Sequence, residues 1–396
     1  MKWTLQKKRE YSKQRNQLIT AGKWHPRSRR DGGRVRSALA TDASLKFQRT
    51  GDFWIDLGIV CLWKQFSSVA NSVSQIEGGV LATDKNLTVK LTEDYVEVKT
   101  TSAKELCEFI QKQFDILHDR YWIRTKKGKQ WWSPLANYYF AHLNGPNKLL
   151  INPLKLTKAQ KTKWRKGDCD FCNRIDVDAK IAGTTEHPFL VVPNRMTNFY
   201  SNLRGRFRIC LACTLATKFA LGGLFFTIDI KEGRLLAFCF ESSSLLHLDR
   251  AYGVLSRLLI EGDPNKNFKS LPTQFPAETF AIYLVELQQE LDRRSQVDLD
   301  LLKQLNVVHI FSLTRAGKTT SIDRYYVMPN LPRLFDLARQ CQWSSDERTY
   351  NALAELLRIM YFRHGNKFDT SLRELFCSAL INFNSISGIL EDFIYE

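Results

Sequence analysis

Cys169 and Cys172 are spaced as Cys-x-x-Cys, and Cys210 and Cys213 repeat that spacing. In each pair both thiolates point the same way, and two such pairs complete a tetrahedral zinc site. Four sulfurs leave no open coordination position, so the expected zinc is structural. It closes a loop of 37 residues between Cys172 and Cys210 and fixes both of its ends. Four buried free thiols and an iron–sulfur cluster are the alternatives that spacing leaves open. Cys61, Cys107, Cys239, Cys341 and Cys377 sit among apolar neighbours and read as core thiols. Paired rather than dispersed cysteines point to metal in a reducing compartment.

Residues 120–166 contain 12 Lys/Arg and no Asp or Glu, interleaved with Tyr121, Trp122, Trp131, Trp132, Tyr138, Tyr139 and Trp164. Cations track phosphates and flat rings stack on bases, so Lys126, Lys127, Lys129, Trp131 and Trp132 are candidates for nucleic-acid contact. Core packing is the alternative for the tryptophans. A second basic stretch leads directly into Cys210 and carries Asn194, Arg195, Asn198, Tyr200, Asn202, Arg204, Arg206 and Arg208. Its amides suit base edges and its guanidinium groups suit phosphates.

Other chemistry is excluded by spacing. Ala316-Gly317-Lys318-Thr319-Thr320 resembles the end of a phosphate-binding loop, but the motif needs a glycine where Ser312 stands. The seven histidines show no paired spacing with acids that would suggest a nuclease or hydrolase centre. The expectation is a binding protein, not an enzyme.

These residues need elements to hold them. The 396 residues carry a net charge of +17, yet from Phe280 onward 13 basic residues face 15 acidic ones, so the excess lies upstream. The first 36 residues hold 12 Lys/Arg against Glu10 and Asp31, and with Gly32-Gly33 they read as part of a flexible basic arm over 1–48. No secretory signal or bilayer-length apolar run is visible, so a cytoplasmic protein without membrane contact is expected. Alternation in Leu87–Leu91 and Tyr95–Val98 predicts a hairpin, and Ser102 with Glu105 predicts a capped helix bearing Leu106, Phe109, Ile110 and Phe114 on one face. A second hairpin is predicted from Leu224–Ile230 and Leu235–Phe240. After Pro276 the pattern is mostly helical, with Ser344 and Glu347 read as a helix cap and two strand-like runs, Val307–Leu313 and Ile322–Val327, as interruptions. The expected fold is α+β: a mixed domain over 49–275 with an inserted four-cysteine zinc ribbon at 169–213, then a mostly helical domain over 276–396.

Thr50-Gly51-Asp52-Phe53, Asp56 and Gly58, then the basic aromatic region, then both cysteine pairs with Arg208 before the second, occur in an order that resembles the zinc-bearing large subunit of type I CRISPR effector complexes (Cascade), in the I-A/I-B group. The likeness covers about residues 50–230. It implies a subunit that joins guide RNA and the other Cascade subunits, the backbone, small and guide-capping ones. Such a subunit contacts the short motif flanking the target (the PAM) in double-stranded DNA, and helps open the duplex into an R-loop. The resemblance further implies that a helicase-nuclease cleaves the target, or that transposition proteins act instead in a transposon-borne system. It also implies a C-terminal part similar to the Cascade small subunit. The rival expectations are a zinc-ribbon RNA-processing or nuclease enzyme and a stand-alone zinc DNA-binding factor.

Overall fold

In a computed structural model the described residues are 43–120, 122–125, 128–131, 164–182, 187, 207–229, 234–259, 275–292, 305, 307–316, 319–328, 331–345, 348–360, 362–364, 367–369 and 371–395. The fold combines antiparallel sheets with helices.

β1 (Ala43–Gln48) precedes helix α1 (Phe53–Ser67). Then come β2 (Ser72–Ile76), β3 (Gly79–Asp84), β4 (Leu87–Thr92) and β5 (Tyr95–Thr100). These strands form one five-stranded sheet in the order β1-β5-β4-β3-β2. In β4 the side chains of Leu87, Val89 and Leu91 are buried while Thr88, Lys90 and Thr92 are less so, the period-two pattern that fixes which face meets the core. The hairpin expected from sequence is β4–β5.

β1 corrects the expected arm over 1–48. Its residues pair with β5 from Ala43↔Thr100 to Gln48↔Tyr95. Phe47 is buried and Leu45 packs against the core, so two alternating apolar residues suffice once β5 offers a free edge.

α2 (Ala103–Arg120) lies against β5 and β1, burying Leu106, Ile110 and Phe114. The Glu105 amide donates to Ser102 Oγ at 3.2 Å, as the predicted cap requires. β6 (Trp122–Thr125) and β7 (Gly128–Trp131) pair as a hairpin. β8 (Arg165–Gly167), β9 (Val177–Ile181) and β10 (Arg208–Cys210) form a three-stranded sheet in the order β10-β9-β8. α3 (Leu211–Phe219) follows at once, then a 3₁₀ turn (Ala220–Gly223).

α1 is the central element. Thirteen of its 15 residues are buried, among them Trp54, Ile55, Leu57 and Leu62. A helix apolar all round needs cover on every side. It receives that cover from the five-stranded sheet, α3, the 3₁₀ turn and α4 (Leu245–Leu259).

β11 (Phe225–Asp229) and β12 (Arg234–Glu241) are the second predicted hairpin. α5 (Pro276–Asp292) follows, and β13 (Val307–Ala316) and β14 (Thr319–Met328) complete a sheet in the order β11-β12-β13-β14. This sheet crosses residue 276, where the helical domain was expected to begin separately. Its glue is apolar: Phe238 packs its ring on Phe225, Phe280 and Tyr283. Ala316 pairs with Thr319, and Thr319-Thr320, the end of the lookalike phosphate loop, open strand β14 and not a helix.

α6 (Leu331–Gln340) leads to β15 (Gln342–Ser345), β16 (Arg348–Asn351) and α7 (Ala352–Ile359). Ser344, expected as a helix cap, lies in β15 instead, and Glu347 lies outside the described residues. Trp343 of β15 pairs with Tyr350 of β16, and Asn351 Oδ1 accepts from the Leu353 amide at 3.0 Å to cap α7. β17 (Phe362–His364), β18 (Lys367–Asp369), α8 (Ser371–Ile381) and α9 (Ser387–Tyr395) end the chain. Buried Glu278 on α5 lies 2.8 Å from Arg373 on α8, within ion-pair distance but not aligned as a hydrogen bond.

Candidate metal centre and its surroundings

The first cysteine pair sits in the turn between β8 and β9. The Cys169 amide donates to the Arg174 carbonyl at 2.9 Å, and the Asn173 amide to the Cys169 carbonyl at 3.0 Å. Such a tight reversal needs left-handed backbone, which Asn173 (φ 55°) and Asp176 (φ 54°) supply. The second pair straddles the junction of β10 and α3. Cys210 is the N-cap, its sulfur accepting from the Cys213 amide at 3.5 Å, while its own amide donates to Cys169 Sγ at 3.3 Å.

The four buried sulfurs lie within 4.8 Å of one another, with Cys169 to Cys213 at 3.9 Å and Cys172 to Cys210 at 3.7 Å. These separations are far too long for disulfides, whose S–S bond is about 2.05 Å. They match the roughly 3.8 Å edge of a tetrahedron with zinc–sulfur bonds of about 2.3 Å. Charge gives the same answer. Hydrogen bonds from Cys172, Cys210 and Cys213 hold the Cys169 thiol well below its usual range, while Cys169 first and Cys172 next push the Cys210 and Cys213 thiols up. Packed together, the sulfurs resist full ionisation unless a cation joins them. The cluster can hold a metal ion with all four positions filled by protein.

The cysteine cluster is fastened to the central helix. α3 packs along α1, where Gly58 touches the Ala216 carbonyl. Asp56, buried in the first turn of α1, accepts from the Thr50 amide and hydroxyl at 2.7 and 2.8 Å and from the Gly51 amide at 3.0 Å. Burial raises its pKa to about 6. Asp52 caps α1 through the Trp54 and Ile55 amides, both at 3.0 Å, and Gly51 turns the chain with φ +74°. The Thr50–Gly58 motif thus builds the entry to α1 and its contact with α3.

Of the residues expected to meet nucleic acid, Lys126, Lys127, Trp132, Asn194, Arg195, Asn198, Tyr200, Asn202, Arg204 and Arg206 lie outside the described residues. Lys129 and Trp131 lie on β7, opposite Arg124 and Trp122 of β6. Arg208, expected at a phosphate, donates from its guanidinium to the carbonyls of Arg165 (2.8 Å), Lys166 (3.3 Å) and Ala179 (3.4 Å). It crosses Gly167, where a Cβ would fall 1.8 Å from it. One cation thereby ties all three strands of the ribbon.

Two histidine–carboxylate pairs escaped the sequence reading. Buried His187 Nε2 lies 2.9 Å from both oxygens of Asp52, with Phe171 stacked at 5.8 Å. His309 on β13 places Nε2 3.1 Å from Glu241 on β12 and Nδ1 2.7 Å from the Tyr325 hydroxyl on β14, and Phe53 stacks on it at 3.8 Å. Burial pushes the Tyr325 phenol up. No local spacing announces these pairs, because the partners are 135, 68 and 16 residues apart.

No protein-family model matches the chain, and no curated protein is significantly similar to it. Among the described residues no helix is long and apolar enough to cross a membrane.

Proposed function

We propose that this chain is a zinc-organised nucleic-acid-binding protein that works as the large subunit of an RNA-guided surveillance complex of the type I CRISPR kind. One observation supports the binding surface. β8 and β10 are the outer strands of the sheet that carries the cysteine cluster. The acid-free segment 120–166 ends at β8 and the basic stretch 194–208 ends at β10. With β9 between them, the two basic segments join the body about 10 Å apart, two strand spacings.

In this reading zinc is the metal, and it supplies only rigid geometry. Lys126, Lys127 and Lys129 neutralise phosphates, Trp131 and Trp132 offer rings, and the loop from Asn194 to Arg206 reads the PAM of duplex DNA beside guide RNA. Cleavage or transposition belongs to recruited proteins. The two histidine–carboxylate pairs are assigned no catalytic step in this reading. Purifying the tagged chain from its native cells decides the matter. A uniform guide-like RNA, zinc and companion subunits in fixed ratio support the proposal. DNA without RNA would assign a stand-alone factor, and RNA cut by the purified chain would assign an enzyme.

A further inference from the structure

β2 is the outer strand of the five-stranded sheet, and among the described residues its strand partner is β3. Ile76 pairs with Gly79 across the two-residue turn Glu77-Gly78. Residues flanking such a turn form a hydrogen-bonded pair, and pairs alternate from there. Ser74 and Ser72 therefore direct their backbone groups toward β3, while Val73 and Gln75 direct theirs to the free edge. Edge strands are ordinarily guarded by charge, proline or a bulge. β2 has none of these: all five residues from Ser72 to Ile76 are uncharged, the register is unbroken, and Val73 is 55% exposed.

A cavity of about 340 Å³ opens beside this edge, between β2, the end of α1 and α4. Val73 and Gln75 line it together with Trp63, Val80 and Leu246. Asp249 and Arg250 line it at the α4 side, and Asp249 already has Lys64 at 3.9 Å. Side chains of a strand added beyond β2 alternate in direction, so every second one faces the cavity.

We propose that the free edge of β2 docks an extended, uncharged segment of a partner polypeptide by strand addition, with one large apolar side chain of that segment seated in the cavity between β2, α1 and α4. The backbone groups of Val73 and Gln75, without a strand partner among the described residues, supply a ladder, and the cavity supplies side-chain preference. Nucleic acid finds no cation on this strand. A second copy of this chain would bring another +17 of charge against it.

The test presents the immobilised full chain to a phage library of random dodecapeptides, with nucleic acid digested away. Selected peptides are expected to alternate uncharged residues with one recurrent Leu, Ile, Met or Phe. Gln75→Pro, which removes an outward N–H, should weaken the best peptide roughly tenfold, the scale of one or two lost hydrogen bonds. Val73→Lys keeps both backbone groups and charges the cavity mouth; it should weaken the same peptide, and it stands in if Gln75→Pro fails to fold. Leu246→Trp should shift the selected residue to a smaller one. No enrichment, a charged consensus, or unaltered binding in a folded variant overturns the proposal. A monomer–dimer equilibrium abolished by Val73→Lys assigns the edge to a second copy and overturns it too. RNA content and DNA binding of these variants stay as in the parent chain, so this outcome is separate from that for the proposed function.

Discussion

Gly58 on α1 lies so close to Ala216 on α3 that a Cβ at residue 58 would fall 1.9 Å from the Ala216 carbonyl oxygen. The obstacle is helix backbone, which cannot swing aside as a flexible side chain does. Gly58→Ala must therefore displace α3, the helix whose first turn carries Cys213. Such overpacking is expected to destabilise the fold by about 2 kcal/mol or more. Metal retention should fall in the same samples. Denaturant unfolding with parallel metal analysis checks both, and an unchanged midpoint would show that the helices pack less tightly than described.

The metal itself is the second expectation. One zinc per chain should be found, and Cys210→Ser should yield a protein that aggregates or is cleaved between Cys172 and Cys210, because ligation contributes directly to folding. Strong chelation of the parent chain should reproduce the effect. Finding iron, or an unliganded chain with the parent's protease resistance, rules zinc out.

What could be read from the sequence was local. The β4–β5 hairpin shows in the alternation of Leu87, Val89 and Leu91, α2 in the spacing of Leu106, Ile110 and Phe114, and the metal site in two identical cysteine spacings. What could not be read depends on distant partners. Leu45 and Phe47 become a strand only because β5 has a free edge, and Ser344 with Glu347 imitates a cap although Ser344 lies in β15, where Trp343 pairs with Tyr350. The histidine–carboxylate pairs require the β12–β13–β14 register or the approach of His187 to α1. The Thr50–Gly58 motif, read as a mark of kinship, also has a complete folding explanation in Asp52, Asp56 and Gly58.

Asp56 gives a pH dependence with a definite sign. Burial lifts its pKa to about 6, above the ordinary aspartate value of about 3.9, so the folded chain holds a proton that the unfolded chain has already released. The resulting stabilisation is complete below the unfolded value and is lost as pH rises through the folded one. A shift of about two units corresponds to roughly 3 kcal/mol. Asp56→Asn removes this dependence. The stability of the parent chain relative to Asp56→Asn should therefore fall between pH 4 and pH 7. Parallel stability curves for the two proteins would mean that Asp56 stays ionised.

If the basic segment grips DNA, replacing Lys126, Lys127 and Lys129 together should weaken duplex binding about equally for all sequences and flatten its salt dependence. Asn198→Ala or Asn202→Ala should instead cost on the order of 1 to 3 kcal/mol of discrimination at one base pair, with non-specific binding nearly intact. Filter binding against a randomised flank, at several salt concentrations, separates the two. An unchanged salt slope in the lysine variant would place those residues away from the DNA.

Arg208 should part company from Arg204 and Arg206, although all three share one basic run. Its guanidinium donates to the carbonyls of Arg165, Lys166 and Ala179 and lies across Gly167, so it joins β10 to the other two strands beside the cysteine cluster. Truncation leaves those carbonyls without their shared donor, at a cost of about 1 to 3 kcal/mol for charge-assisted bonds of this kind. Arg208→Ala should thus release metal faster and unfold earlier, and its loss of DNA affinity should follow its loss of metal. All three bonds leave one guanidinium nitrogen, Nη2, so Arg208→Lys, whose ammonium also carries three donors on one nitrogen, should rescue part of the loss. In the double variant Arg204→Ala, Arg206→Ala the order should reverse: weaker binding to every sequence with metal retention and unfolding midpoint unchanged. Metal-release rates with a chromogenic chelator, set beside filter binding on the same preparations, distinguish the cases. If Arg208→Ala keeps its metal yet loses affinity as the double variant does, Arg208 faces the phosphates after all.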